Sequence, residues 1–509
     1  MDVLTALANG FAVAITPAHL VSCGIGVLTG TLIGILPGIG PGATLALLLP
    51  FTFGMDPASM LIMMAGIYYG AMYGGSTTSI LVNIPGEAAS VVTCFDGYQL
   101  ARQGRAGAAL GMAAIASFIA GTLSIFGLIL LAVPLSEFGV RFGPPEYCVL
   151  MLLALAAVGL IGGGSILKSF IMAALGLLIS TIGIDVVSGQ SRLTFGAVEL
   201  MEGINFVIAV LGLFAVSEIL MRLSESGRGE VFRAPSRLAE LFPTRADLRA
   251  SAGPITRGTV IGFITGVLPG AGATIASFIS YGVERRLARE PQRFGNGAIE
   301  GVAAPEAANN AAAGGALVPL LALGIPGSGS AAVILGAMVL AGLRPGPFLF
   351  REQPDLVWGL IASMYIGNVL LLIINLPMVP LLASLLRFPY YVLYPTILVL
   401  SVIGGYNVNG AYFDLWLVFG FGMVGLFLRT LNFPPAPAIL GVVLGPLVES
   451  SLRQSLAMSQ GNWGIFVTRP ISGVLVLILF TTLLARPAAR WYTQIMRPKV
   501  RALRAKTQD

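Results

Sequence analysis

The stretch "GILPGIGPGATLALLLP" (residues 34–50) is as apolar as a buried helix. Yet it carries Pro37, Gly38, Gly40, Pro41 and Gly42, the residues an unbroken helix tolerates worst. A shorter echo, "GVLPGAGATIASFIS", stands at 266–280. The rest of the chain decides how such breaks are read. Its 509 residues are 56% hydrophobic and 10% charged, with mean hydropathy +0.89, whereas about a quarter of a soluble chain is charged. Long apolar runs recur, for example at 108–135 and 471–485. This composition predicts an all-α polytopic membrane protein of about 10–12 membrane segments, since lipid-facing backbone must satisfy its own hydrogen bonds. The short alternating segments of a β-barrel are missing from the pattern.

The net charge is +6, and its placement matters more than its total. The longest polar stretch, 222–257, holds Arg222, Arg228, Arg233, Arg237, Arg245, Arg249 and Arg257. The tail is also basic, with Arg486, Arg490, Arg497, Lys499, Arg501, Arg504 and Lys506. The positive-inside rule places both in the cytoplasm, which makes them topological signals rather than a nucleic-acid surface. A further basic cluster, "ERRLAREPQR" (284–293), follows 27 residues after Arg257. A straight helix would carry Arg285 to the opposite side. A re-entrant hairpin that turns at Pro269-Gly270 returns it, each arm being too short for a full span of about 20 residues.

The echo extends beyond the hairpin. "YGGSTTSILVNIPGEAAS" (73–90) follows the first LPG, and "AGGALVPLLALGIPGSGS" (313–330) follows the second. Pro37 to Pro85 is 48 positions and Pro269 to Pro326 is 57, the nine extra fitting within the basic insert at 284–297. Two such halves read as an internal repeat, inverted if each half crosses an odd number of times. The expected layout is a first repeat at 1–222, a cytoplasmic linker at 223–253, a second repeat at 254–450, and a terminal helix with its basic tail at 451–509. Paired interrupted segments in corresponding positions point to a secondary transporter's binding site.

Candidate residues follow from the breaks: Pro37, Gly38 and Gly40, then Pro85 and Gly86, in the first half, and Pro269, Gly270, Gly272, Pro326 and Gly327 in the second. The hydroxyl run Ser76, Thr77, Thr78 and Ser79 reads in two ways. Small residues let helices approach closely in lipid. Alternatively Gly74-Gly75 unwinds the helix, and Ser76 caps the next one and aims its positive end at an anion. Ser328 and Ser330 start a helix after the second break. Asn83, Glu87 and Glu306 offer groups to a cation or a proton, and Asn309 and Asn310 add amides. An acid and amides in such sequence are expensive unless they face a cavity or partners, or else 298–312 is simply wet at the interface. Arg102, Arg105 and Arg344 read as interfacial anchors.

Other chemistries fit poorly. "GIGPGA" resembles a dinucleotide loop but lacks the strand–helix setting. No G-K-[ST] follows any glycine run, so energy must come from an ion gradient or a separate subunit. Cys23, Cys94 and Cys148 are scattered, and His19 is the one histidine, which leaves no metal cluster and little equipment for an enzyme. The N-terminus lacks the pattern of a cleaved signal peptide.

The phrases around these breaks resemble the large membrane subunit of tripartite tricarboxylate transporters, over roughly 10–490. Among them are "YYGAMYGGSTTSILVNIPGEAASVVTCFDGYQLARQGRAGAALG" and "FGNGAIEGVAAPEAANNAAAGGALVPLLALGIPGSGSAAVILGAM". The resemblance implies a multi-pass protein of the bacterial inner membrane with a cytoplasmic C-terminus, not an enzyme. It further implies import of a carboxylate with Na⁺ or H⁺ as coupling ion and no other cofactor. The implied partners are a small four-helix membrane subunit and a periplasmic solute-binding protein. Alternating access between the repeats is expected, as an elevator in preference to rocking. The other reading is an anion channel built on the same broken helices.

Overall fold

The computed structural model describes residues 3–36, 40–161, 165–185, 188–223, 238–270, 272–379, 381 and 390–491. Pro37 and Gly38, much of the basic linker and the tail from 492 onward therefore lie outside the described residues.

The described chain is almost entirely helical. Its first part comprises α1 (Val3–Ala14), α2 (Pro17–Gly34), α3 (Pro41–Leu48), α4 (Pro57–Val82), α5 (Val91–Arg102), α6 (Ala106–Gly139), α7 (Pro144–Ile161) and α8 (Ile166–Ser180). A two-stranded antiparallel ribbon, β1 (Gly183–Ile184) with β2 (Ser191–Arg192), precedes α9 (Phe206–Val210). A π-helical turn (Leu211–Val216) joins α9 to α10 (Ser217–Leu223). After the linker come α11 (Leu238–Leu241), α12 (Arg245–Val267), α13 (Gly272–Leu287), α14 (Glu300–Leu323), α15 (Gly329–Leu340), α16 (Leu349–Glu352) and α17 (Pro354–Asn375). The chain closes with α18 (Tyr390–Asn409), α19 (Tyr412–Thr430), α20 (Ala436–Met458), α21 (Ile465–Thr468) and α22 (Pro470–Trp491). The boundary expected at 450 thus falls inside α20.

Among the described residues, five helices are long and apolar enough to cross a membrane: α2, α6, α17, α19 and α20. Shorter apolar helices run 10–17 residues, α3 with the turn that follows it and α15 among them. Proline and glycine breaks cut some of the membrane segments into half-helices.

The second LPG segment folds back on itself. α12 ends at Leu268 in extended conformation, and Gly270 (φ +85°) and Gly272 (φ +63°) make the turn in a backbone region that favours glycine. At the open end, Arg257 pairs with both oxygens of Glu284, each contact 2.6 Å. The first copy closes in a similar way, with His19 Nε2 3.5 Å from Asp56 Oδ1, although α3 and Asp56 belong to its return arm. Asp56 also caps α4, accepting the N–H groups of Ala58 and Ser59. His19 therefore has a structural role, its Nδ1 meeting Thr16 Oγ1 at 2.8 Å.

Each hairpin lies on a glycine ladder. A Cβ on Gly26, Gly30 or Gly34 would strike the carbonyl oxygens of Met63, Ile67 and Ala71 at 2.3–2.5 Å. The same holds for Gly258, Gly262 and Gly266 against Ala304, Ala308 and Ala312, at 2.2–2.4 Å. Thus α2 seats on α4, and α12 on α14, with their backbones in contact. Gly74 in turn meets Thr31 O of α2 and the N of Ile35 just after it, and Gly315 meets Phe263 O and Val267 N of α12.

This packing corrects one expectation. Gly74-Gly75 do not unwind anything, because α4 runs unbroken from Pro57 to Val82. The glycines are there for close approach, and Ser76 is an interior helical residue.

The helices gather into two groups. In one, α2, α4, α5, α6, α12, α13, α14 and α17 pack on each other, and in the other α7, α8, α19, α20 and α22 join the π-helical segment. The half-helices α3 and α15 touch each other, and both reach from α4 to the second group.

Overpacking typically costs about 1–3 kcal/mol, so Gly262→Val should lower the thermal unfolding temperature of the purified protein. Gly282→Ala is the control: its new Cβ meets nothing within 4 Å, and unfolding should be unchanged or slightly later.

Candidate functional site

Where the half-helices meet, the two helix groups enclose a cavity of ≈950 Å³. The first hairpin contributes Gly40, Pro41, Gly42 and Ala43, and the second contributes Gly270, Gly272, Ala273 and Thr274. The breaks contribute Pro85, Glu87 and Ala88 on one side and Ser328, Gly329 and Ser330 on the other. The second helix group adds Ser169, Phe214, Glu218, Arg429 and the Pro434–Pro437 turn.

The two breaks share one backbone plan. α4 ends on Asn83 and α14 on Gly324, both left-handed at φ 59° and 72°. Each then passes through Ile-Pro-Gly to an extended N-cap: Glu87 at φ −143°, ψ 167°, and Ser328 at φ −151°, ψ 169°. Ser328 Oγ accepts the N–H of Ala331 at 3.2 Å and lies 3.2 Å from Tyr68 Oη. Glu87 sits in a capping box with Ser90 and leads through a 3₁₀ turn into α5. Its Oε1 is buried with no hydrogen-bond partner among the described residues. The tip of the second hairpin is tied to this layer, Gly270 N–H donating to Gly327 O at 3.0 Å.

Five helix N-termini consequently open onto the cavity: those of α3, α13, α15 and α20, and the 3₁₀ turn that starts α5. Unpaired backbone N–H groups and the positive ends of helix dipoles favour an anion there.

The remaining candidates lie elsewhere. Glu306, Asn309 and Asn310 stand in the unbroken middle of α14, at 0%, 0% and 4% exposure, not at a wet interface. Glu306 Oε2 accepts from Ser76 Oγ at 2.6 Å and from Asn309 Nδ2 at 3.3 Å, and Oε1 accepts from Thr93 Oγ1. Asn310 donates to Ser117 Oγ at 2.8 Å and to Asn309 Oδ1 at 2.6 Å. Thr78 and Ser79 return their hydroxyls to Gly75 O, as helical hydroxyls do. Ser76 and Thr77 border a separate void of ≈10 Å³ and Asn310 one of ≈20 Å³, room for little more than a water. The structure thus brings Gly40, Pro85, Glu87, Gly270, Gly272, Ser328 and Ser330 together at the cavity. The hydroxyl run and the two asparagines belong to a closed layer beside it. Asn83 is the left-handed C-cap of α4, a conformation asparagine tolerates.

The model of the tripartite tricarboxylate transporter TctA family matches residues 20–440. The chain belongs to that family. An Agrobacterium vitis relative, described as an uncharacterized 52.8 kDa protein in the TAR-I ttuC' 3' region, is 49% identical over 478 residues. That match covers 94% of this chain and 95% of the relative. A second, an uncharacterized protein in the TAR-II ttuC' 3' region of the same organism, is 48% identical over 215 residues, 42% of this chain and 89% of its own length. No solved structure matches. A TctA-family chain with these apolar helices is a multi-pass membrane protein and a subunit of a tricarboxylate transporter.

One cavity residue of this TctA-family chain carries no sequence signal. Arg429 sits in an ordinary apolar helix, far from either break motif, and only the fold brings it to the wall.

The Glu306 network can be tested by removing its acceptor. Glu306→Ala leaves the donors of Ser76, Thr93 and Asn309 unmet in a dry layer and should cost about 2–4 kcal/mol of stability. Glu306→Gln keeps one acceptor oxygen and should cost less. Chemical unfolding in detergent reads both; equal stability of Glu306→Ala and the parent would contradict the network's structural weight.

Proposed function

We propose that this chain is the large membrane subunit of a binding-protein-dependent secondary transporter that imports carboxylates with a cation, Na⁺ or H⁺. The observation that carries this reading is the convergence of five helix N-termini on one cavity between two helix groups. A transported carboxylate would rest against those N–H groups. Glu87, the buried carboxylate with an unpartnered oxygen, would receive the coupling ion beside it. Ser328 at the corresponding position offers only a hydroxyl, so the two sides of the site have different work. The proposed partners are a small four-helix membrane subunit and a periplasmic binding protein that hands over the solute. The inner membrane is the proposed location, with the C-terminus in the cytoplasm.

The recurring glycine contacts support a duplicated architecture. Gly26, Gly30 and Gly34 correspond to Gly258, Gly262 and Gly266 at a constant offset of 232, and Met63, Ile67 and Ala71 to Ala304, Ala308 and Ala312 at 241. We take the two copies to be inverted, with the hairpins opening on opposite sides of the membrane. Access would alternate by an elevator movement of the hairpin-bearing group against the other.

Two experiments test these readings. In proteoliposomes holding the full transporter and loaded binding protein, citrate should accumulate only while an inward Na⁺ or proton gradient exists. Glu87→Gln should keep the fold and lower uptake at least about tenfold, a loss of the size expected for one charge-assisted contact. Downhill flux that ignores the gradient would instead favour a channel.

Topology is read separately. Phe53→Cys, at the open end of the first hairpin, should react with an impermeant maleimide on intact cells. Arg286→Cys, at the open end of the second, should react only after permeabilisation. The native cysteines are buried and will not interfere. Labelling of both from one side would refute the inversion.

A further inference from the structure

We infer that Arg429 receives a substrate carboxylate in the cavity and that Glu218 competes with the substrate for it. The inference rests on the carboxylate reading above and deepens it. Among the described residues lining the cavity, Arg429 is the one lysine or arginine. It stands on the wall formed by the second helix group, close in sequence to the Pro434–Pro437 turn.

Its guanidinium is held in a fixed orientation. Nε donates to Ser217 Oγ at 2.9 Å, Nη1 to Glu218 Oε2 at 2.5 Å and Nη2 to Leu213 O at 3.4 Å. These acceptors come from a single stretch, the π-helical turn Leu211–Val216 and the two residues after it. Ser217 Oγ itself donates to Leu213 O at 2.5 Å, so hydroxyl, carbonyl and carboxylate converge on one guanidinium. A π-turn inside a helix is uncommon and occurs often at functional sites. Here it arranges the acceptors that hold an arginine against an anion-favouring cavity.

Charge explains the need. Among the described residues lining the cavity, the acidic and basic side chains are Glu87, Glu218 and Arg429, a formal sum of −1. Helix N-termini carry only partial positive charge, roughly half a unit each. They can hold one carboxylate, but a second one on the same solute meets a site with no surplus cation. Arg429 supplies a full charge and a planar fork suited to carboxylate. With the solute absent, Glu218 takes the Nη1 position of that fork. An incoming carboxylate shares or displaces it, so Glu218 lowers the affinity that Arg429 alone would give. A solute with one carboxylate has less use for Arg429.

The full-length protein in lipid nanodiscs, titrated calorimetrically with citrate, succinate and acetate, tests this. Arg429→Met should weaken citrate and succinate binding about 10- to 100-fold and leave acetate unchanged. Arg429→Lys, which keeps the charge but not the fork, should fall between. Glu218→Gln should bind citrate several-fold more tightly. The last two variants carry the test if Arg429→Met fails to fold. Equal loss for citrate and acetate, no loss for either, or weaker citrate binding in Glu218→Gln would overturn the role given to the pair and leave the cavity reading intact. Failure of the parent protein to bind any of the three would overturn the carboxylate reading and this inference with it.

Discussion

A backbone opened inside a membrane protein must find its hydrogen-bond partners within the protein. Here the opened segments find them because glycine lets helices touch. With no side chain at Gly258, Gly262 and Gly266, α12 lies directly on the carbonyl oxygens of α14. Only at that spacing can Gly270 at the hairpin tip reach Gly327 O in the neighbouring break, at 3.0 Å. Gly86 in the first half sits under the same restriction, where a Cβ would stand 2.4 Å from Gly34 O and 2.5 Å from Gly75 Cα. The cavity exists because tips and breaks share one layer, and they share it because the ladders set their height.

The two halves use this frame with different side chains. Counted at the 241-residue offset, Glu87 corresponds to Ser328 (87 + 241) and Tyr68 to Asn309 (68 + 241). The backbone angles of the first pair agree within about ten degrees, so the difference between them is purely chemical. Tyr68 crosses to Ser328, whereas Asn309 turns toward Glu306. A shared backbone plan with different polar groups can hold a solute and an ion at neighbouring places without making the two places alike. That is the arrangement the proposed coupling requires.

Local chemistry was readable in the sequence and long-range contact was not. Leu-Pro-Gly and Ile-Pro-Gly each halt a helix that precedes them, so the second LPG turn and both IPG breaks could be found from the residues alone. The charge spacing around Arg257 and Arg285 pointed to a hairpin, and the Arg257–Glu284 pair closes it. Gly74-Gly75 left two readings open because glycine does two jobs. It loosens a helix in isolation and permits contact in a packed one, and only the presence of α2 decides which. The hydroxyls after it were open to two readings for a related reason: in an unbroken helix Thr78 and Ser79 satisfy themselves on Gly75 O. Arg429 had no signal at all, since the proline turn that follows it repeats neither the LPG nor the IPG motif. Its place depends on α19 lying against the π-helical turn.

The closed network around Glu306 bears on where motion can occur. Its donors come from α4 (Ser76), the start of α5 (Thr93) and α14 (Asn309), so one carboxylate joins elements from both halves. Separating any of them would strand a buried acceptor or its donors in a dry layer, at a cost comparable to a large part of a protein's net stability. The hairpin-bearing helices are therefore poorly suited to move against each other. The boundary between the two helix groups is different. It is bridged by the half-helices α3 and α15 and hollowed by the cavity, and it lacks a comparable enclosed network among the described contacts. The alternating access proposed above would meet least resistance there, carrying both breaks as one body past the wall that holds Arg429.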